Sequence, residues 1–181
     1  DLVGRLCRGA TARLAPDGEL LVKGPNLFSG YLHEPDIDEH ATGDLARFDS
    51  EGRVVLLGRK KDMIIRRHEN IYPALFEPTI SGIEGVRSCS MVGVYDDKIE
   101  DEIVVLAVES QAGVSDKVLE RRLRRELSEG PRAMGAAAYP DYIIFTTIPL
   151  GGRSFKVDKN ALRAKVTDLL PLAGATSVGA R

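Results

Sequence analysis

The sequence lacks tryptophan and contains only two cysteines and three histidines. Cys7 and Cys89 show neither metal-ligand spacing nor the pattern of a disulfide framework, so we expect buried, reduced thiols in a cytoplasmic protein. His33, His40 and His68 are too scattered to form a metal site with neighbouring cysteines or carboxylates. These absences exclude a zinc-bound or disulfide-stapled domain and predict no metal held by this chain.

The chain also lacks an excess of charge of either sign and any long apolar run. Its 25 basic and 27 acidic residues give a net charge of −2, which argues against nucleic acid or an anionic membrane as partner. Its longest apolar runs, such as residues 103–108, are far too short to span a bilayer. Neither a Gly-x-Ser-x-Gly elbow nor a Gly-rich phosphate loop is present.

What remains is enough for one domain or two small ones: 181 residues, 43% of them hydrophobic. The opening residues, Asp1-Leu2-Val3-Gly4, include no initiator Met and read like the interior of a longer protein. We therefore expect the chain to be a fragment.

Residues 1–58 carry short β signals separated by turns. Residues 15–19 form a Pro-Asp-Gly turn, residues 19–24 a short strand, and residues 42–58 a hairpin around the tight turn at 49–52. Residues 26–32 are a loop or a second short strand. Strands this short make a poor independent domain, so this part is predicted to be the end of a larger β-rich body.

The second half alternates strands and helices. Strands are predicted at 86–95, 102–110 and 141–145, together with a short apolar strand followed by a polar loop within 62–73. Helices are predicted at 74–82, where Pro78 should distort the helix, at 115–128 with Ser115 as N-cap, and from 157 onward, with a tail beyond Pro171. The fold class is α+β: a β-rich part at 1–58, a hinge at 59–61, a small domain at 62–168 with a mixed sheet flanked by helices, and a tail at 169–181.

Two constellations near the middle of the chain could bind a nucleotide. Thr42-Gly43-Asp44 presents a carboxylate beside a glycine, and a carboxylate can accept both hydroxyls of a ribose. Gly58-Arg59-Lys60-Lys61-Asp62 concentrates positive charge where a strand ends, and the planar fork of Arg59 suits phosphate or ribose oxygens. Taken alone, either string is more typical of an ordinary turn than of a binding site.

A third constellation lies near the end of the chain, in Gly151-Gly152-Arg153-Ser154-Phe155-Lys156-Val157-Asp158. A Gly-rich loop there delivers Lys156 just ahead of a helix. Such a lysine is a point charge suited to a negative charge that develops on a carboxylate or phosphate.

Together and in this order, these strings resemble the adenylate-forming superfamily of acyl-CoA synthetases, carrier-protein-charging adenylation domains and luciferases, and they are closest to the acyl-CoA synthetase branch. The resemblance covers about residues 18–165. It rests on four motifs in register: Gly18-Glu19-Leu20 with Gly24-Pro25-Asn26 and Gly30-Tyr31-Leu32; Thr42-Gly43-Asp44; Gly58-Arg59-Lys60-Lys61-Asp62-Met63-Ile64 with Glu69-Asn70-Ile71-Tyr72-Pro73; and Pro149-Leu150 through Lys156-Val157-Asp158.

The resemblance implies a two-step, AMP-forming acid–thiol ligase, here of fatty acid metabolism. ATP and a carboxylic acid give an acyl-adenylate and pyrophosphate, and a thiol then displaces AMP. Asp44 would hold the ribose hydroxyls, Arg59 would contact ribose or phosphate, and Leu56 would line the adenine pocket. Lys61 would be the hinge about which a mobile C-terminal domain swings, and Lys156 would bridge the acid and the α-phosphate.

The implied ligands are ATP or AMP and Mg²⁺, which the family binds largely through an N-terminal part that this chain lacks. The fragment alone is therefore expected to be inactive, and its sequence does not identify the carboxylic acid. CoA or the phosphopantetheine of a carrier protein would be the acceptor. A non-catalytic interaction or dimerisation fragment is the alternative from a different class.

The chain departs from the family pattern in the loop expected to meet the acceptor thiol. Arg66-Arg67-His68 precedes Glu69 where the acyl-CoA synthetase branch has Ser-Gly-Gly, and arginine disfavours the positive φ that glycine allows. This difference leaves open whether the loop receives CoA weakly or meets a phosphate-bearing acceptor with its cations. Phe155 also replaces a glycine before Lys156, and the connection at 35–42 is shortened.

Overall fold

The structure, a computed structural model, describes residues 2–33, 35–152 and 155–173. The chain forms two compact units, unit 1 (Asp1–Lys61) and unit 2 (Asp62–Arg181). The 3-10 turn Lys60–Asp62 contains this division.

Unit 1 is a five-stranded antiparallel sheet in the order β1-β5-β4-β3-β2. Its strands are β1 (Leu2–Gly4), β2 (Thr11–Leu14), β3 (Glu19–Lys23), β4 (His40–Phe48) and β5 (Val54–Arg59). The predicted strand at 19–24 and the predicted hairpin of β4 and β5 are both present. Residues 26–32 form no strand.

The core of unit 1 is small. Leu20, Ala46 and Val54 are its buried cluster, and partly buried side chains such as Leu56 and Phe48 pack against it. A cluster of this size buries little apolar surface for a segment of about sixty residues. Hydrogen-bonded strands and turns therefore hold much of the framework on which unit 1 displays its polar groups.

Unit 2 is built on a mixed three-stranded sheet in the order β10-β9-β8. β8 (Val86–Asp96) and β9 (Asp101–Ser110) are antiparallel, and β10 (Tyr142–Phe145) runs parallel to β9. One buried cluster combines the sheet with α1 (Pro73–Ser81) and α2 (Asp116–Ser128), and another combines it with α3 (Lys159–Ala173). The α+β class, with a mixed sheet flanked by helices, is confirmed.

Two small hairpins complete unit 2. The first joins β6 (Ile64–Arg66) to β7 (Glu69–Ile71), and the second joins β11 (Leu150–Gly151) to β12 (Lys156–Val157). The 3-10 turn Gly130–Arg132 follows α2. The polar loop predicted before Tyr72 is therefore partly a strand, β7, which the sequence did not predict because Glu69 and Asn70 carry no apolar alternation.

One helix prediction was wrong, the one for the tail. Helix α1 continues through Pro78 to Ser81, so this proline does not end it; only one amide is lost in a nine-residue helix that already has Pro73 at its start. Ser115 occupies the N-cap position of α2 as predicted, although its side chain makes no capping hydrogen bond. Helix α3 continues through Pro171 to Ala173, so the tail does not begin at 169; residues 174–181 lie outside the described range.

The two cysteines differ in environment. Cys89 is buried, and burial raises the pKa of its thiol to about 11. Cys7, predicted to be buried, is exposed because it lies in the polar connection between β1 and β2. Both thiols are free.

The turn between β6 and β7 has an unusual backbone. Arg66 pairs with Glu69, so Arg67 and His68 form a two-residue loop, and their φ angles are +51° and +63°. Two positive φ angles are the signature of a type I′ turn, for which glycine or asparagine is preferred. The amide of Arg67 donates to Asp101 Oδ2 at 2.9 Å, and this bond lowers the pKa of the Asp101 carboxyl. The turn geometry is therefore kept without the glycines that normally permit it.

We expect His68→Gly to stabilise unit 2. Glycine removes the steric cost of the left-handed conformation at position 68, and this gain exceeds the entropy that glycine adds to the unfolded chain. The free energy of unfolding should rise by about 0.5–1 kcal/mol. Urea unfolding followed by tyrosine fluorescence measures this, since four of the five tyrosines, Tyr72, Tyr95, Tyr139 and Tyr142, lie in unit 2.

Lys98→Gly is the matched control, because Lys98 is also exposed in a turn of unit 2 but lacks a positive φ. This substitution should leave stability unchanged or lower it. Equal effects of the two glycines would contradict a strained turn at His68.

Candidate functional site

Asp44 and Arg59, two residues predicted to bind a nucleotide, face each other on adjacent strands. They are register partners in β4 and β5, and Arg59 Nε lies 2.9 Å from Asp44 Oδ1. Arg59 Nη1 also donates to the carbonyl of Thr42 at 3.1 Å. Because a guanidinium has five N–H donors, these two contacts leave capacity for a ligand. The side chain of Arg59 is about half exposed, at 52%.

A second carboxylate, that of Glu19, hydrogen-bonds both to the segment that contains Asp44 and to Lys60, the residue after Arg59. Its Oε1 accepts the amide of Gly43 at 2.9 Å, and its Oε2 accepts Lys60 Nζ at 2.9 Å. Lys60 Nζ also lies 2.6 Å from Asp17 Oδ2. The Thr42-Gly43-Asp44 segment and the start of the predicted hinge are thus held by one carboxylate.

The electrostatics of this cluster keep it charged near neutral pH. The hydrogen bond from Lys60 is the main cause that lowers the pKa of Glu19, and the two carboxylates raise the pKa of Lys60. Sequence reasoning did not single out Glu19 or Lys60 as functional. The Gly18-Glu19-Leu20 string was the only signal that could have found Glu19.

The other two predicted residues of unit 1 lie close to this cluster along the chain. Leu56 lies on β5, three residues before Arg59, and packs against the core cluster of unit 1. Lys61 is exposed in the turn Lys60–Asp62 and is the last residue of unit 1. Unit 1 therefore gathers Asp44, Arg59 and Leu56 on two neighbouring strands, and the second of these, β5, leads into the turn that contains Lys61.

In unit 2, the predicted acceptor loop divides into one buried cation and three exposed residues. The Arg66 side chain donates to the carbonyls of Ala137 and Tyr139, both at 3.0 Å, and its Nη2 lies 2.6 Å from Asp141 Oδ1. Arg66 is only 9% exposed, so it serves the interior of unit 2 and is not presented to a ligand.

The side chains of Arg67, His68 and Glu69 are exposed. Within the described residues they form no hydrogen bond or ion pair. Of these three residues, Glu69 lines a groove of about 400 Å³ with both polar and apolar walls. Its lining comprises Glu69, Asn70, Ile71, Tyr72, Leu75, Phe76 and residues 135–138. This volume is within the range of small-molecule sites.

Lys156, the predicted catalytic residue, projects from the short strand β12, where it pairs with Gly151. Its side chain is exposed and makes no hydrogen bond or ion pair within the residues that the structure describes. The preceding residue, Phe155, is 78% exposed and has a φ of +51°, so it adopts the conformation that a glycine would favour there. Arg153 and Ser154 of the predicted motif lie outside the described residues.

The base of this hairpin is tightly bonded. The amide of Asp158 donates to the carbonyl of Pro149 at 2.9 Å, and Asp158 Oδ1 accepts the amides of Asn160 and Ala161. Asp158 thereby closes the hairpin with its backbone amide and caps the first turn of α3 with its side chain.

The predicted residues therefore fall into two groups: Asp44, Leu56, Arg59 and Lys61 in unit 1, and residues 66–69 with Lys156 in unit 2. The described part of the chain contains no cluster of three or more His, Cys, Asp or Glu side chains that could hold a metal ion. Among the same residues, no helix has the length and apolarity needed to cross a membrane.

The chain is similar in sequence to enzymes that are named as CoA ligases. The chain is 40% identical over 102 residues to a 2-succinylbenzoate–CoA ligase of Listeria monocytogenes, a match that spans 52% of the chain and 22% of the ligase. It is 33% identical over 173 residues to the mitochondrial medium-chain acyl-CoA ligase ACSF2 of Bos taurus, across 91% of the chain and 27% of that protein. The chain thus spans about a quarter of the length of these relatives, and no family model matches it.

The chain is also similar to solved structures of ligases. ATP-bound MatB from Rhodopseudomonas palustris superposes with a TM-score of 0.75 at 28% identity, across 93% of this chain and 36% of MatB. The amide bond synthetase McbA from Marinactinospora thermotolerans gives 0.74 at 27% identity, across 91% and 36%. With the motifs, these matches confirm the resemblance: the chain belongs to the adenylate-forming superfamily of ligases, in its acyl-CoA synthetase branch.

Proposed function

We propose that this chain is the C-terminal part of an ATP-dependent ligase that activates a carboxylic acid as its acyl-adenylate and passes the acyl group to a thiol. The observation that carries the proposal is that one of the two candidate cations, Arg59, is paired with a carboxylate, whereas the side chain of the other, Lys156, has no partner among the described residues. Arg59 is held beside Asp44 on rigid strands, and Lys156 is exposed on a hairpin.

In the first step, a carboxylate oxygen of the acid attacks the α-phosphorus of ATP, and the bond from that phosphorus to the pyrophosphate oxygen breaks. Both reactants are anionic, so the transition state needs a cation that is placed in advance. Lys156 is suited to bridge the acid carboxylate and the α-phosphate, because its ammonium group is not engaged elsewhere in the described chain.

The nucleotide would be held at the strand pair of unit 1. Asp44 would accept the ribose hydroxyls, Arg59 would donate to ribose or phosphate oxygens, and Leu56 would contribute to the adenine pocket. ATP bound to the related MatB supports ATP as the nucleotide. Mg²⁺ would be held largely by parts of the ligase outside this chain.

Between the two steps, unit 2 would swing about Lys61 so that Lys156 leaves and the acceptor loop arrives. The attachment of Lys60 to Asp17 and Glu19 supports this assignment. It fixes the residue before the pivot, so a torsion change is concentrated at Lys61.

In the second step, a thiol attacks the acyl carbonyl and AMP leaves. CoA is the favoured acceptor, since the relatives are named as CoA ligases. Arg67 and His68 would meet acceptor phosphates, and the groove beside Glu69 would take part of the pantetheine arm. A carrier-protein thiol is the competing acceptor. Because the relatives act on acids as different as 2-succinylbenzoate and medium-chain acids, we propose no single acid and leave fatty acid metabolism as one option.

A cytoplasmic location fits both substrates. ATP and CoA are available there, and the two free thiols of the chain stay reduced in that compartment.

Lys156→Ala, made in the full-length ligase that contains this chain, should abolish most of the first step. Loss of one preorganised transition-state donor costs about 10²–10³-fold in rate. Acid-dependent ATP–pyrophosphate exchange measures this step alone. The matched control is Lys117→Ala, which removes an exposed lysine of α2 whose side chain has no partner in the part of the chain that the structure describes, and which should leave exchange unchanged. Exchange within a few-fold of the parent ligase in Lys156→Ala would refute this role.

Arg67→Gly should weaken the second step without changing the first. A charge-assisted contact to phosphate is worth about 1.5–3 kcal/mol, so KM for CoA should rise about tenfold or more while ATP–pyrophosphate exchange stays constant. With pantetheine, which lacks the nucleotide phosphates, the variant and the parent should transfer the acyl group equally well.

The control for this substitution is Lys98→Gly in a turn that carries no proposed contact. Robust acyl-CoA formation that is insensitive to Arg67→Gly would sink the phosphate contact. Acyl transfer to a phosphopantetheinylated carrier protein but not to CoA would favour the competing acceptor.

A further inference from the structure

Glu77 on α1 is the centre of a buried hydrogen-bond network in unit 2. Its Oε1 accepts from Ser90 Oγ at 3.0 Å, from the amide of Met91 at 2.7 Å and from Lys159 Nζ at 2.5 Å. Lys159 Nζ also donates to the carbonyl of Met91 at 2.8 Å. The side chains of Lys159 and Glu77 are 15% and 23% exposed, so the pair is largely withdrawn from water.

This network fixes the start of α3, because Lys159 is the first residue of that helix. Farther along the helix, Arg163 Nε donates to the carbonyl of Gly93 on β8 at 2.9 Å, and Leu162 and Val166 are fully buried. Helix α3 is therefore attached to the sheet by two cations and by its apolar face.

The position of Lys159 also limits where the β11–β12 hairpin, which carries Lys156, can lie. Only Val157 and Asp158 separate Lys156 from Lys159, and the amide of Asp158 is bonded to Pro149 on the other side of the hairpin. A displacement of Lys159 would also move β12, because the two intervening residues are too short a connection to absorb it.

The two lysines therefore differ in what they can do. The ammonium group of Lys159 is occupied by Glu77 and Met91, so it cannot reach a substrate without breaking a largely buried ion pair. The ammonium group of Lys156 has no partner among the described residues and remains available.

We infer that the Glu77–Lys159 ion pair positions Lys156 for the adenylation step. This inference rests on the proposed function, in which Lys156 meets the acid and the α-phosphate. Glu77 and Lys159 are positioning residues that touch no substrate. Because reaction rates fall steeply when a reacting group is misplaced by even 1 Å, loosening this attachment should lower kcat more than it weakens ATP binding.

The first arm of the test uses the 181-residue chain itself. In Lys159→Met, the amide of Asp158 should exchange its hydrogen at least tenfold faster than in the unsubstituted chain, whereas amides at the centre of β9, such as Leu106, should be unchanged. Lys117→Met on α2 serves as control and should alter neither. Faster exchange at both sites would mean that unit 2 as a whole is loosened and would overturn the inference.

The second arm uses the full-length ligase that contains this chain. Lys159→Met should lower kcat for acid-dependent ATP–pyrophosphate exchange about 10- to 100-fold, with KM for ATP within about twofold because the ribose contacts lie in unit 1. Lys159→Arg should restore most of kcat, since a guanidinium can donate to the same carboxylate and carbonyl. Normal kcat in Lys159→Met, or loss that Lys159→Arg does not restore, would overturn the positioning role.

Failure of this inference can be told from failure of the proposed function. Lys156→Ala with normal exchange would remove the proposed function and this inference with it. If Lys156→Ala abolishes ATP–pyrophosphate exchange while Lys159→Met keeps a normal kcat, the proposed function stands and only the positioning role is overturned.

Discussion

Carboxylates inside the two units hold three cations, Lys60, Arg66 and Lys159, while a cation close to each along the chain stays exposed. Glu19 with Asp17 holds Lys60, next to Lys61; Asp141 holds Arg66, next to Arg67; and Glu77 holds Lys159, three residues after Lys156. In each case the paired cation fixes the backbone, and the exposed cation is the one assigned to a substrate or to the hinge. The proposed chemistry depends on this division, because a positive charge helps an anionic transition state only where its position is already determined.

The pair of Glu19 and Lys60 is suited to persist over the pH range in which a cell works. The pKa of Glu19 is lowered, so its contribution is complete above the ordinary carboxyl range and is lost only as pH falls through the lowered value. The pKa of Lys60 is raised, so its contribution is complete below the ordinary lysine value and is lost only as pH rises through the raised one. The pair of Glu77 and Lys159 is largely buried, so removal of either partner is costly because it leaves the other charge unpaired.

Part of the fold and several residues of the candidate site could be proposed from the sequence, and what was missed has a common cause. Asp44, Arg59 and Lys156 belong to short contiguous strings. Strand β3, the hairpin of β4 and β5 and the sheet of unit 2 follow from local alternation and turn chemistry, whereas β1 and β2 were not predicted. The anchoring pairs join distant residues: Glu19 to Lys60, Arg66 to Asp141 and Glu77 to Lys159. No local periodicity encodes such contacts, so Arg66 was grouped with the exposed residues of the acceptor loop. The type I′ turn at Arg67 and His68 was missed because neither residue favours a positive φ.

The division between held and free cations can be measured directly by lysine acetylation of the 181-residue chain under limiting reagent, with each lysine followed by mass spectrometry. Lys61 and Lys156 are exposed and unpaired among the described residues, whereas Lys60 and Lys159 are paired with carboxylates. The account predicts that Lys156 and Lys61 are acetylated well before Lys159 and Lys60. Acetylation of Lys159 at the same rate as Lys156 would contradict it.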